Sequence, residues 1–534
     1  MGLQVVDLKN AKKKDLTLVV VIVSLLASHE EGTMAARLIA FILSFLLVLA
    51  FTACKGNNTT SPVQGNNTTS PVPGAPAAPT SLSAITKAQN VTLQWSAVDA
   101  ATSYNIYYST TSSPTKTTGI KIQDVTLPYT HTHLSAGSYY YVVTAASQAG
   151  ESSESTEVTA KVNRVAFVTS TSGNGNLGSW ADAGGKSGLA AADAICQNRA
   201  SAAGLTGDFT AWISDTSNDA YCRVHNLAGK KTSNCGQPTL PVAAGPWVRT
   251  DGYPYSGIIS ELTSSGEVYA PARYDEYGIL TPGSTFYFTN TLFSGKADLP
   301  GGSSCGEWTT TNASDYAGAG SSDVTAGLMY HAPCSNSALR LLCMQTGDGP
   351  VLPDFATTGK KVFVSSSMGT GNLGSWFNAG GNTGIAAGDK VCQSLAANAG
   401  LANAANFKAW LSDSSTNAID RITSNGSNGP WVRLDGVKIA DSKNDLTDGS
   451  LFTSISLDDT GTYYRELLDF YTVWTGTLFN GTKNANNSCN NWTDGTASYT
   501  TAAFGHDVKA GAEWTGGFGT SCNLNNFRIY CFED

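Results

Sequence analysis

Cysteine side chains offer the clearest chemistry in this sequence, because a thiol can carry a lipid, ligate a metal ion or pair in a disulfide. The chain of 534 residues contains 11 cysteines. Cys54 stands alone after an apolar segment, and the other ten form two matching sets of four and one extra pair within the first set. They are Cys196, Cys305, Cys334 and Cys343; Cys392, Cys489, Cys522 and Cys531; and Cys222 with Cys235. Ten cysteines that can pair predict a disulfide-bonded, exported protein.

An apolar segment with a short basic start precedes Cys54. Met34 is followed by Arg37 and then by a run without charged residues from Leu38 to Phe51, which has the length of a signal-peptide hydrophobic region. The run ends in Phe-Thr-Ala-Cys, which resembles the lipobox of bacterial lipoproteins. That resemblance implies attachment of a diacylglyceryl group to Cys54 and cleavage of the chain before it.

The N-terminal region therefore divides into three predicted segments. We interpret residues 1–33 as an extension from a misassigned start codon, 34–53 as a lipoprotein signal peptide and 54–78 as a low-complexity tether. The tether has no apolar periodicity, so it cannot form a core and acts as a spacer. A transmembrane anchor is the alternative, but the apolar run is short and a polar tract follows it. We predict a lipid-anchored protein of the bacterial outer membrane, exposed at the cell surface.

Charge and composition exclude some partners. Charged residues make up 14% of the chain and the net charge is −9. Such a chain has no basic stripe to displace the counterions of a nucleic acid, so no nucleic-acid partner is expected. The 55 glycines, together with many Ser, Thr and Asn residues, are typical of loop-rich β or α+β domains.

Residues 79–163 carry short alternating runs separated by turns and contain no cysteine. Runs such as Val91–Trp95 and Tyr104–Tyr108 alternate with period two, which predicts β-strands. The segment resembles a fibronectin type III domain, and the residues that carry the resemblance are Pro79 at the start, Trp95 as the core tryptophan of the second strand, and Leu134, Gly137 and Tyr140 as a tyrosine corner. The resemblance implies an all-β sandwich, for which a rigid spacer is the expected role.

The remainder of the chain is an internal duplication. Matching stretches are Asn176-Leu-Gly-Ser-Trp180 with Asn372-Leu-Gly-Ser-Trp376, Pro246-Trp-Val-Arg249 with Pro430-Trp-Val-Arg433, and Cys305-Gly-Glu-Trp308 with Cys489-Asn-Asn-Trp492. We assign copy 1 to residues 164–346, a linker to 347–360 and copy 2 to 361–534. Cys222 and Cys235 lie in an insertion that only copy 1 has.

Each copy contains one clear helical pattern. In copy 2 the stretch from Gly384 to Ala399 places apolar residues and Cys392 on one face, and Gly400 ends it. The corresponding face of copy 1 consists of Leu189, Ala192, Cys196, Ala200 and Ala203, and Gly204 follows it. The first cysteine of each set is therefore expected to face the core.

The order of the cysteines resembles the C-type lectin-like fold and endostatin, with one on the helix, two in the last third and one in the final strand. The bonds of that fold are nested, so the resemblance implies the pairs Cys196–Cys343, Cys305–Cys334, Cys392–Cys531 and Cys489–Cys522. The residues alone leave three pairings open for each set of four. The predicted fold class is a multidomain chain: an all-β fibronectin type III sandwich followed by two α+β C-type lectin-like (endostatin-like), disulfide-bonded domains.

Both copies look like the repeated domain of leptospiral endostatin-like surface lipoproteins. The shared motifs include Gly-Asn-Leu-Gly, Ala-Trp-Leu-Ser-Asp, Pro-Trp-Val-Arg, Cys-Asn-Asn-Trp-Thr and Tyr-Cys-Phe-Glu. Copy 1 departs by its insertion and by Phe288, where copy 2 has Trp474. The resemblance implies host macromolecules as partners: extracellular-matrix proteins such as laminin and fibronectin, plasminogen, or the complement regulator factor H. We expect the interface on the loops between Trp410 and Trp474 and on their counterparts in copy 1.

Two glycine patterns could indicate a cofactor. Gly173-x-Gly175-x-x-Gly178 and Gly369-x-Gly371-x-x-Gly374 each follow an apolar strand, as in a dinucleotide fingerprint. No helix begins at the third glycine, so a pyrophosphate would lack the helix N-terminus that binds it. We therefore predict turns and no cofactor.

Two further motifs could indicate zinc binding or catalysis. Cys222, His225 and Cys235 are zinc-type ligands without a fourth nearby, so the disulfide Cys222–Cys235 is favoured. His506-Asp507 could begin a catalytic triad, but no nucleophile-elbow pattern accompanies it. We predict no catalytic residues and no metal site.

Calcium-dependent sugar binding is the main alternative function. Sugar-binding C-type lectins use a Trp-Asn-Asp motif and a proline-containing loop whose oxygens coordinate calcium. Asn491-Trp492-Thr493-Asp494 is a loose echo of the first motif, Glu307-Trp308 is a looser one, and the second motif is missing. The predicted function is non-enzymatic binding of host macromolecules; the alternatives are a lectin-like glycan-binding protein and a structural envelope lipoprotein without a host ligand.

Overall fold

The computed structural model describes residues 74–264, 268–283, 285–298, 304–325, 328–352, 355, 358–422, 428–464, 472–484, 487–498 and 500–534. Cys54, the predicted signal peptide and most of the predicted tether lie outside these residues. The described part belongs to one compact unit, Pro73–Asp534, and is mostly β-structure with few helices. Within it no helix combines the length and the apolar character needed to span a bilayer.

The first module is a sandwich of two antiparallel sheets. Its strands are β1 (Ser83–Lys87), β2 (Asn90–Gln94), β3 (Ser103–Ser109), β4 (Ile120–Val125), β5 (Tyr129–His131), β6 (Gly137–Ser147), β7 (Gly150–Glu151) and β8 (Val158–Val162). One sheet has the order β1-β2-β5, and the other has β4-β3-β6-β7 with β8 also paired to β6. Trp95, directly after β2, is buried with Leu134 in the core between the sheets. The predicted all-β sandwich is therefore present.

The tyrosine at the corner of this sandwich is Tyr139, and the expectation of Tyr140 was wrong. The Tyr139 hydroxyl donates a hydrogen bond of 3.1 Å to the Ser135 carbonyl oxygen, and its ring is buried in the core. Tyr140 is only half-buried. Because β6 begins at Gly137, the alternation of the strand turns residues 139, 141 and 143 inward and residue 140 outward.

The two copies contain the same eight strands in the same order of pairing. In copy 1 they are β9 (Arg164–Val168), β10 (Phe209–Ala211), β11 (Trp247–Arg249), β12 (Pro254–Ser256), β13 (Phe286–Phe288), β14 (Tyr316–Ser321), β15 (Leu328–Pro333) and β16 (Arg340–Gln345). In copy 2 they are β17 (Lys360–Val364), β18 (Phe407–Ala409), β19 (Trp431–Arg433), β20 (Lys438–Ala440), β21 (Thr472–Trp474), β22 (Thr500–His506), β23 (Phe518–Ser521) and β24 (Tyr530–Glu533).

Sheet pairing follows one scheme in both copies. Copy 1 has the order β12-β11-β9-β16-β13-β14-β15, with β10 also on β16. Copy 2 has β18-β24-β17-β19-β20 and, separately, β21-β22-β23; a parallel bridge between Val473 and Arg528 joins the two groups where copy 1 has continuous pairing. Each copy is thus an α+β unit, and the duplication read from the sequence is also structural.

Few helices accompany these strands. They are α1 (Gly188–Ala202), α2 (Ala220–Arg223) and α3 (Ile259–Ser264) in copy 1, and α4 (Gly384–Asn398) and α5 (Ala418–Ile422) in copy 2. The long helices α1 and α4 lie where the sequence predicted them, although α1 ends at Ala202, one residue before the predicted face does. Cys196 and Cys392 are fully buried, as the helical pattern predicted.

Each copy has two apolar cores, one on either side of its central strand. In β9, Val165 and Phe167 face the core that contains α1, whereas Ala166 and Val168 face the core that contains Trp212 and Trp247. Copy 2 repeats this with Phe363 on one side and Val362 and Val364 on the other. A strand covered on both faces is expected to be apolar throughout, which explains the apolar runs 165–168 in copy 1 and 362–364 in copy 2.

Five disulfides hold the described residues together. The pairs are Cys196–Cys343, Cys305–Cys334, Cys222–Cys235, Cys392–Cys531 and Cys489–Cys522. Four of them are the pairs that the resemblance implied, and Cys222–Cys235 is the pair favoured from the residues of the insertion. The two outer bonds join residues 147 and 139 positions apart. In the chain-entropy treatment, loops of this length stabilise a fold by about 4–5 kcal/mol each.

A buried glutamine joins the sandwich to copy 1. The Gln89 side chain donates to the Thr206 carbonyl oxygen at 2.9 Å and to Gln345 Oε1 at 3.2 Å, and it accepts from the Thr206 N–H at 2.6 Å. Gln345 Oε1 also accepts from the Val165 N–H at 3.1 Å. One side chain of the sandwich therefore forms hydrogen bonds with both backbone and side-chain groups of copy 1.

Replacing Gln89 with alanine is expected to lower the free energy of unfolding by about 1–3 kcal/mol, because the half-buried Thr206 N–H loses its acceptor. Chemical denaturation of the variant would measure this change. Gln94→Ala in the same module is the control, since Gln94 is exposed, and it should change the stability by less than about 0.5 kcal/mol. Equal effects of the two substitutions would contradict the assignment of Gln89 to this joint.

Candidate functional site

The loops predicted to bind a partner meet each other in the structure. Tyr253 of copy 1 donates its hydroxyl to the Lys438 carbonyl oxygen of copy 2 at 2.5 Å. Arg273 Nη1 donates to the Leu451 carbonyl oxygen at 2.9 Å, and Thr453 Oγ1 donates to the Tyr269 carbonyl oxygen at 2.5 Å. Much of the expected interface between Trp410 and Trp474, and of its counterpart in copy 1, is therefore occupied by the other copy.

The same short segment of each copy forms the centre of this joint. Asp323-Val-Thr325 of copy 1 corresponds to Asp507-Val-Lys509 of copy 2. The Thr325 N–H donates to the Val508 carbonyl oxygen at 3.0 Å, and the Ala510 N–H donates to the Asp323 carbonyl oxygen at 3.1 Å. The pairing is antiparallel, so the copies meet through equivalent residues about a local pseudo-twofold axis. We call residues 323–325 and 508–510 the copy joint.

Buried arginines flank the copy joint. In copy 2, Arg433 of the Pro-Trp-Val-Arg motif is fully buried and pairs with Asp435 at 2.7 Å between Nη2 and Oδ2. In copy 1, Arg249 pairs with Asp251 at the same distance, and its Nη1 also donates to the Phe452 carbonyl oxygen of copy 2 at 3.2 Å. Burial alone raises the pKa of Asp435, but the Arg433 guanidinium holds this pKa below its usual value. The arginine of the Pro-Trp-Val-Arg motif thus forms a structural ion pair in each copy.

One ion pair of copy 1 has no counterpart in copy 2. Arg273 Nε lies 3.1 Å from Asp323 Oδ1, with both side chains buried. Aligning Ala-Pro-Ala-Arg273 with Thr-Ser-Ile-Ser456 puts serine at the arginine position of copy 2. Asp507, the counterpart of Asp323, is fully buried, and neither of its carboxylate oxygens has a side-chain partner among the described residues. The sequence reading treated Asp507 only with His506 and missed this difference.

The Cys-x-x-Trp stretch of each copy is a left-handed turn. Cys305, Gly306, Glu307 and Trp308 have φ values of 50°, 56°, 57° and 65°, and Cys489–Trp492 has values of 47°, 51°, 56° and 63°. The tryptophans anchor these turns, because Trp308 Nε1 donates to the Ser214 carbonyl oxygen at 3.0 Å and Trp492 Nε1 donates to the Ser412 carbonyl oxygen at 2.8 Å. Each turn is therefore hydrogen-bonded to an earlier loop of its own copy, at Ser214 or Ser412.

The residues that echo a sugar-binding motif already have internal hydrogen bonds. Asn491 Oδ1 accepts from the Ser414 N–H at 3.0 Å, and Asp494 Oδ1 accepts from the Thr496 N–H at 2.7 Å. Glu307 accepts in the same way from the Thr216 N–H at 3.2 Å. Among the described residues no group of three acidic, histidine or cysteine side chains is placed to hold a metal ion. These oxygens fix loops in this structure.

The glycine patterns are explained by close packing. A Cβ atom on Gly173 or Gly369 would overlap the indole of Trp180 or Trp376, respectively. A Cβ atom on Gly175 would lie 2.6 Å from Cys305 Sγ, and one on Gly371 would collide with Cys489 Sγ. These contacts agree with the prediction that each glycine pattern is a tight turn. Each pattern lies against the disulfide and the tryptophan of its own copy.

The zinc and triad candidates also have other contacts. Cys222 and Cys235 form a disulfide, and His225 Nδ1 lies 2.9 Å from the Tyr221 carbonyl oxygen. The His506 ring packs edge-on against Phe504 and Phe518, with centroid distances of 5.4 and 5.8 Å. Asp507 lies in the buried position described above.

An apolar surface on copy 2 is the strongest candidate for a binding site. Phe377 is 99% exposed and Met368 is 50% exposed. The segments that carry them approach each other, with Asn378 Nδ2 at 3.5 Å from Ser367 Oγ. The corresponding residues of copy 1 are Ala181 and Ser172. We call Met368 and Phe377 the apolar patch.

Two buried tryptophans fix the loop beneath the apolar patch. Trp376 Nε1 donates to the Thr370 carbonyl oxygen at 2.9 Å, and Trp474 Nε1 donates to the Gly369 carbonyl oxygen at 3.0 Å. Phe288 takes the place of Trp474 in copy 1 and cannot donate this bond. The patch is therefore held in place by the fold, and an exposed apolar group on a fixed loop is a feature of binding surfaces.

Comparison with known proteins gives only short matches. No protein-family model matches the chain, and no curated protein does. An Fn3-like protein from Clostridium thermocellum is 35% identical, over 16% of this chain and 92% of that one, with a TM-score of 0.15. FN3tt (23% identical) and chicken CNTN1 FN1–FN3 domains (18% identical) also cover 16% of this chain, at 94% and 33% of their own lengths, each with a TM-score of 0.14.

Gly371→Ala is expected to destabilise the chain by about 1–3 kcal/mol, because the added methyl group overlaps the Cys489–Cys522 disulfide. Thermal or chemical unfolding would measure the loss. Gly283→Ala is the matched control, since no atom lies within 4 Å of its added Cβ position. A Gly371→Ala variant as stable as the control would contradict the packing explanation of the glycine pattern.

Proposed function

We propose that this chain is an exported, non-enzymatic binding protein that carries a lipid at Cys54 and holds host macromolecules at the bacterial surface. In this proposal the sandwich is a fibronectin type III module and the two copies are C-type lectin-like, endostatin-like domains. The five disulfides support an oxidising location, because such bonds persist outside the cytoplasm. The internal contacts of the candidate catalytic and metal-binding side chains support a binding role over an enzymatic one.

The apolar patch is the observation that carries the proposal. A nearly fully exposed phenylalanine on a loop fixed by two tryptophans costs solubility without stabilising the fold, so a partner is the simplest reason for it. Phenylalanine and methionine are enriched in the centres of protein interfaces. The carboxylate of Asp459 lies beside this loop and accepts from the Ser366 N–H at 2.7 Å. An apolar centre with an acidic edge on an acidic chain fits a protein partner of basic or mixed charge.

Copy 2 is the binding copy in this proposal, and copy 1 with the sandwich forms its support. Copy 1 has alanine and serine at the positions of the apolar patch, and its loops are partly covered by copy 2. The joint through Gln89 continues this support into the sandwich. The arrangement suits a spacer that projects one binding face from a membrane anchor.

Binding of residues 55–534 to immobilised laminin, fibronectin, plasminogen and factor H tests the proposal. We expect saturable binding to at least one of them, and Phe377→Ala is expected to weaken it by about tenfold or more, since a central anchor contributes more than 1 kcal/mol. Ile279→Ala is the matched control, because Ile279 is a 62% exposed residue of copy 1 and should leave affinity unchanged.

The alternatives give different results. Absence of binding to every matrix and plasma protein would contradict the proposal and favour a structural envelope role. Binding to a glycan array that a calcium chelator abolishes would favour the lectin-like alternative. Protein binding with equal affinity for Phe377→Ala and Ile279→Ala would leave the host-binding role and remove the apolar patch from it.

A further inference from the structure

We propose that Asp507 makes the copy joint sensitive to pH, so that the two copies pack tightly when this carboxyl group is protonated and separate more readily when it is ionised. The inference concerns the joint and is independent of any host ligand. It rests on three observations: the burial of Asp507, its lack of a side-chain partner, and its position beside the residues that pair across the joint.

Burial without a partner disfavours the charged form of Asp507. The side chain is fully buried, and no other side chain among the described residues donates a hydrogen bond to its two oxygens. An ionised carboxylate in such surroundings is costly unless an opposite charge or donors compensate for it. Asp323, its counterpart in copy 1, has that compensation from Arg273 at 3.1 Å. The duplication thus provides an internal comparison in which one buried aspartate is paired and the other is not.

The charged and titratable groups around Asp507 come from three parts of copy 2. Arg528, which precedes β24, offers partial compensation, but its Nη1 donates to the Ser365 and Ser366 carbonyl oxygens at 2.8 and 3.2 Å. Tyr464 lies under that guanidinium, with its ring centroid 3.7 Å from Arg528 Cζ. Tyr530 of β24 donates its hydroxyl to the Trp514 carbonyl oxygen at 2.8 Å. None of these groups donates a hydrogen bond to the Asp507 carboxylate.

The charged groups at the joint in both copies are already paired. Arg273 lies against Asp323, and Lys509 forms an ion pair with Glu513 within copy 2. His506 is the adjacent residue along β22, with its ring packed edge-on against those of Phe504 and Phe518. Burial raises the pKa of Asp507 to about 7, and the Arg528 charge and the backbone N–H groups of Asp507 and Val508 oppose this increase only in part.

Asp507 is covalently next to the pairing residues, which links its charge to the joint. Val508 supplies the carbonyl oxygen that accepts from the Thr325 N–H, and Ala510 supplies the N–H that reaches Asp323. A carboxylate that must reach water can do so by displacing this segment, and that displacement breaks both hydrogen bonds. The proton that is gained on acidification comes from solvent, so the change needs no other reactant.

The direction of the effect follows from the raised pKa. An acid whose pKa is higher in the closed state than in the open state stabilises the closed state below that pKa, and this stabilisation is lost as the pH rises through about 7. If the open state returns Asp507 to an ordinary pKa, opening becomes about 30-fold more favourable between pH 5.5 and pH 8.5. Acidification therefore closes the joint.

Hydrogen exchange read by mass spectrometry on residues 55–534 tests this at peptides containing Thr325 and Ala510. After correction for intrinsic exchange, protection is expected to fall by up to about 30-fold from pH 5.5 to pH 8.5. Asp507→Asn, which cannot ionise, should keep high protection at both pH values. Asp494→Asn removes a half-buried carboxylate outside the copy joint and should retain the wild-type response.

A second variant covers the case in which Asp507→Asn does not fold. Ser456→Arg places in copy 2 the cation that copy 1 has at Arg273, and it should flatten the pH response by stabilising the ionised carboxylate. Protection in the wild-type chain that does not change with pH would overturn the proposal. So would a pH response that persists unchanged in whichever of the two variants folds.

Discussion

Two backbone hydrogen bonds between equivalent segments, from Thr325 to Val508 and from Ala510 to Asp323, determine which surfaces of the duplicated region remain free. Because each copy contributes the same stretch in antiparallel orientation, the contact is closed and leaves neither segment for another partner. The loops around it then meet: Tyr253, Tyr269 and Arg273 of copy 1 lie against residues 438–453 of copy 2. A binding surface has to be sought on the remaining faces.

The duplication matters for function through its differences. Phe377 and Met368 stand where copy 1 has Ala181 and Ser172, and Trp474, which fixes the loop beneath them, stands where copy 1 has Phe288. These changes lie on one loop and its support, so together they turn a polar turn into a fixed apolar surface. Likewise, copy 2 has Ser456 where copy 1 has the cationic Arg273. Asp507 therefore lacks the ion pair that Asp323 has. Two equal heads acting by avidity would not require such differences.

Local features were readable from the sequence because each depends on neighbouring residues. The helices around Cys196 and Cys392 follow from apolar spacing, and the glycine patterns were read as turns because no helix N-terminus follows them. The disulfide pairs needed more than spacing, since three pairings fit each set and only the resemblance chose between them. The corner tyrosine was misplaced by one residue because the start of β6 sets which side chains face inward.

The copy joint was beyond such reading, although a signal was present. Asp-Val-x-Ala-Gly recurs at residues 323–327 and 507–511, but nothing in either stretch shows that it pairs with the other. The pairing depends on where two separate sheets end, and the unpaired state of Asp507 depends in turn on an arginine that is absent from a third segment. Such contacts join segments that are far apart in the sequence, and the helical and strand periodicities report only on neighbouring residues.

The left-handed turns show why the motif that resembles a sugar site is a poor place to seek a ligand. Residues other than glycine and asparagine cost about 1–2 kcal/mol each in this conformation, and the turn Cys489–Trp492 contains two of them, Cys489 and Trp492. Such a turn persists only if its surroundings hold it, and here the disulfide, the Trp492 indole and the Asn491 side chain all do so. A ligand that recruited Asn491 would have to break the bond to Ser414 that helps to keep the turn strained. The Phe377 side chain is almost fully exposed and holds no turn in place. Contact with a partner there leaves the internal bonds of copy 2 intact.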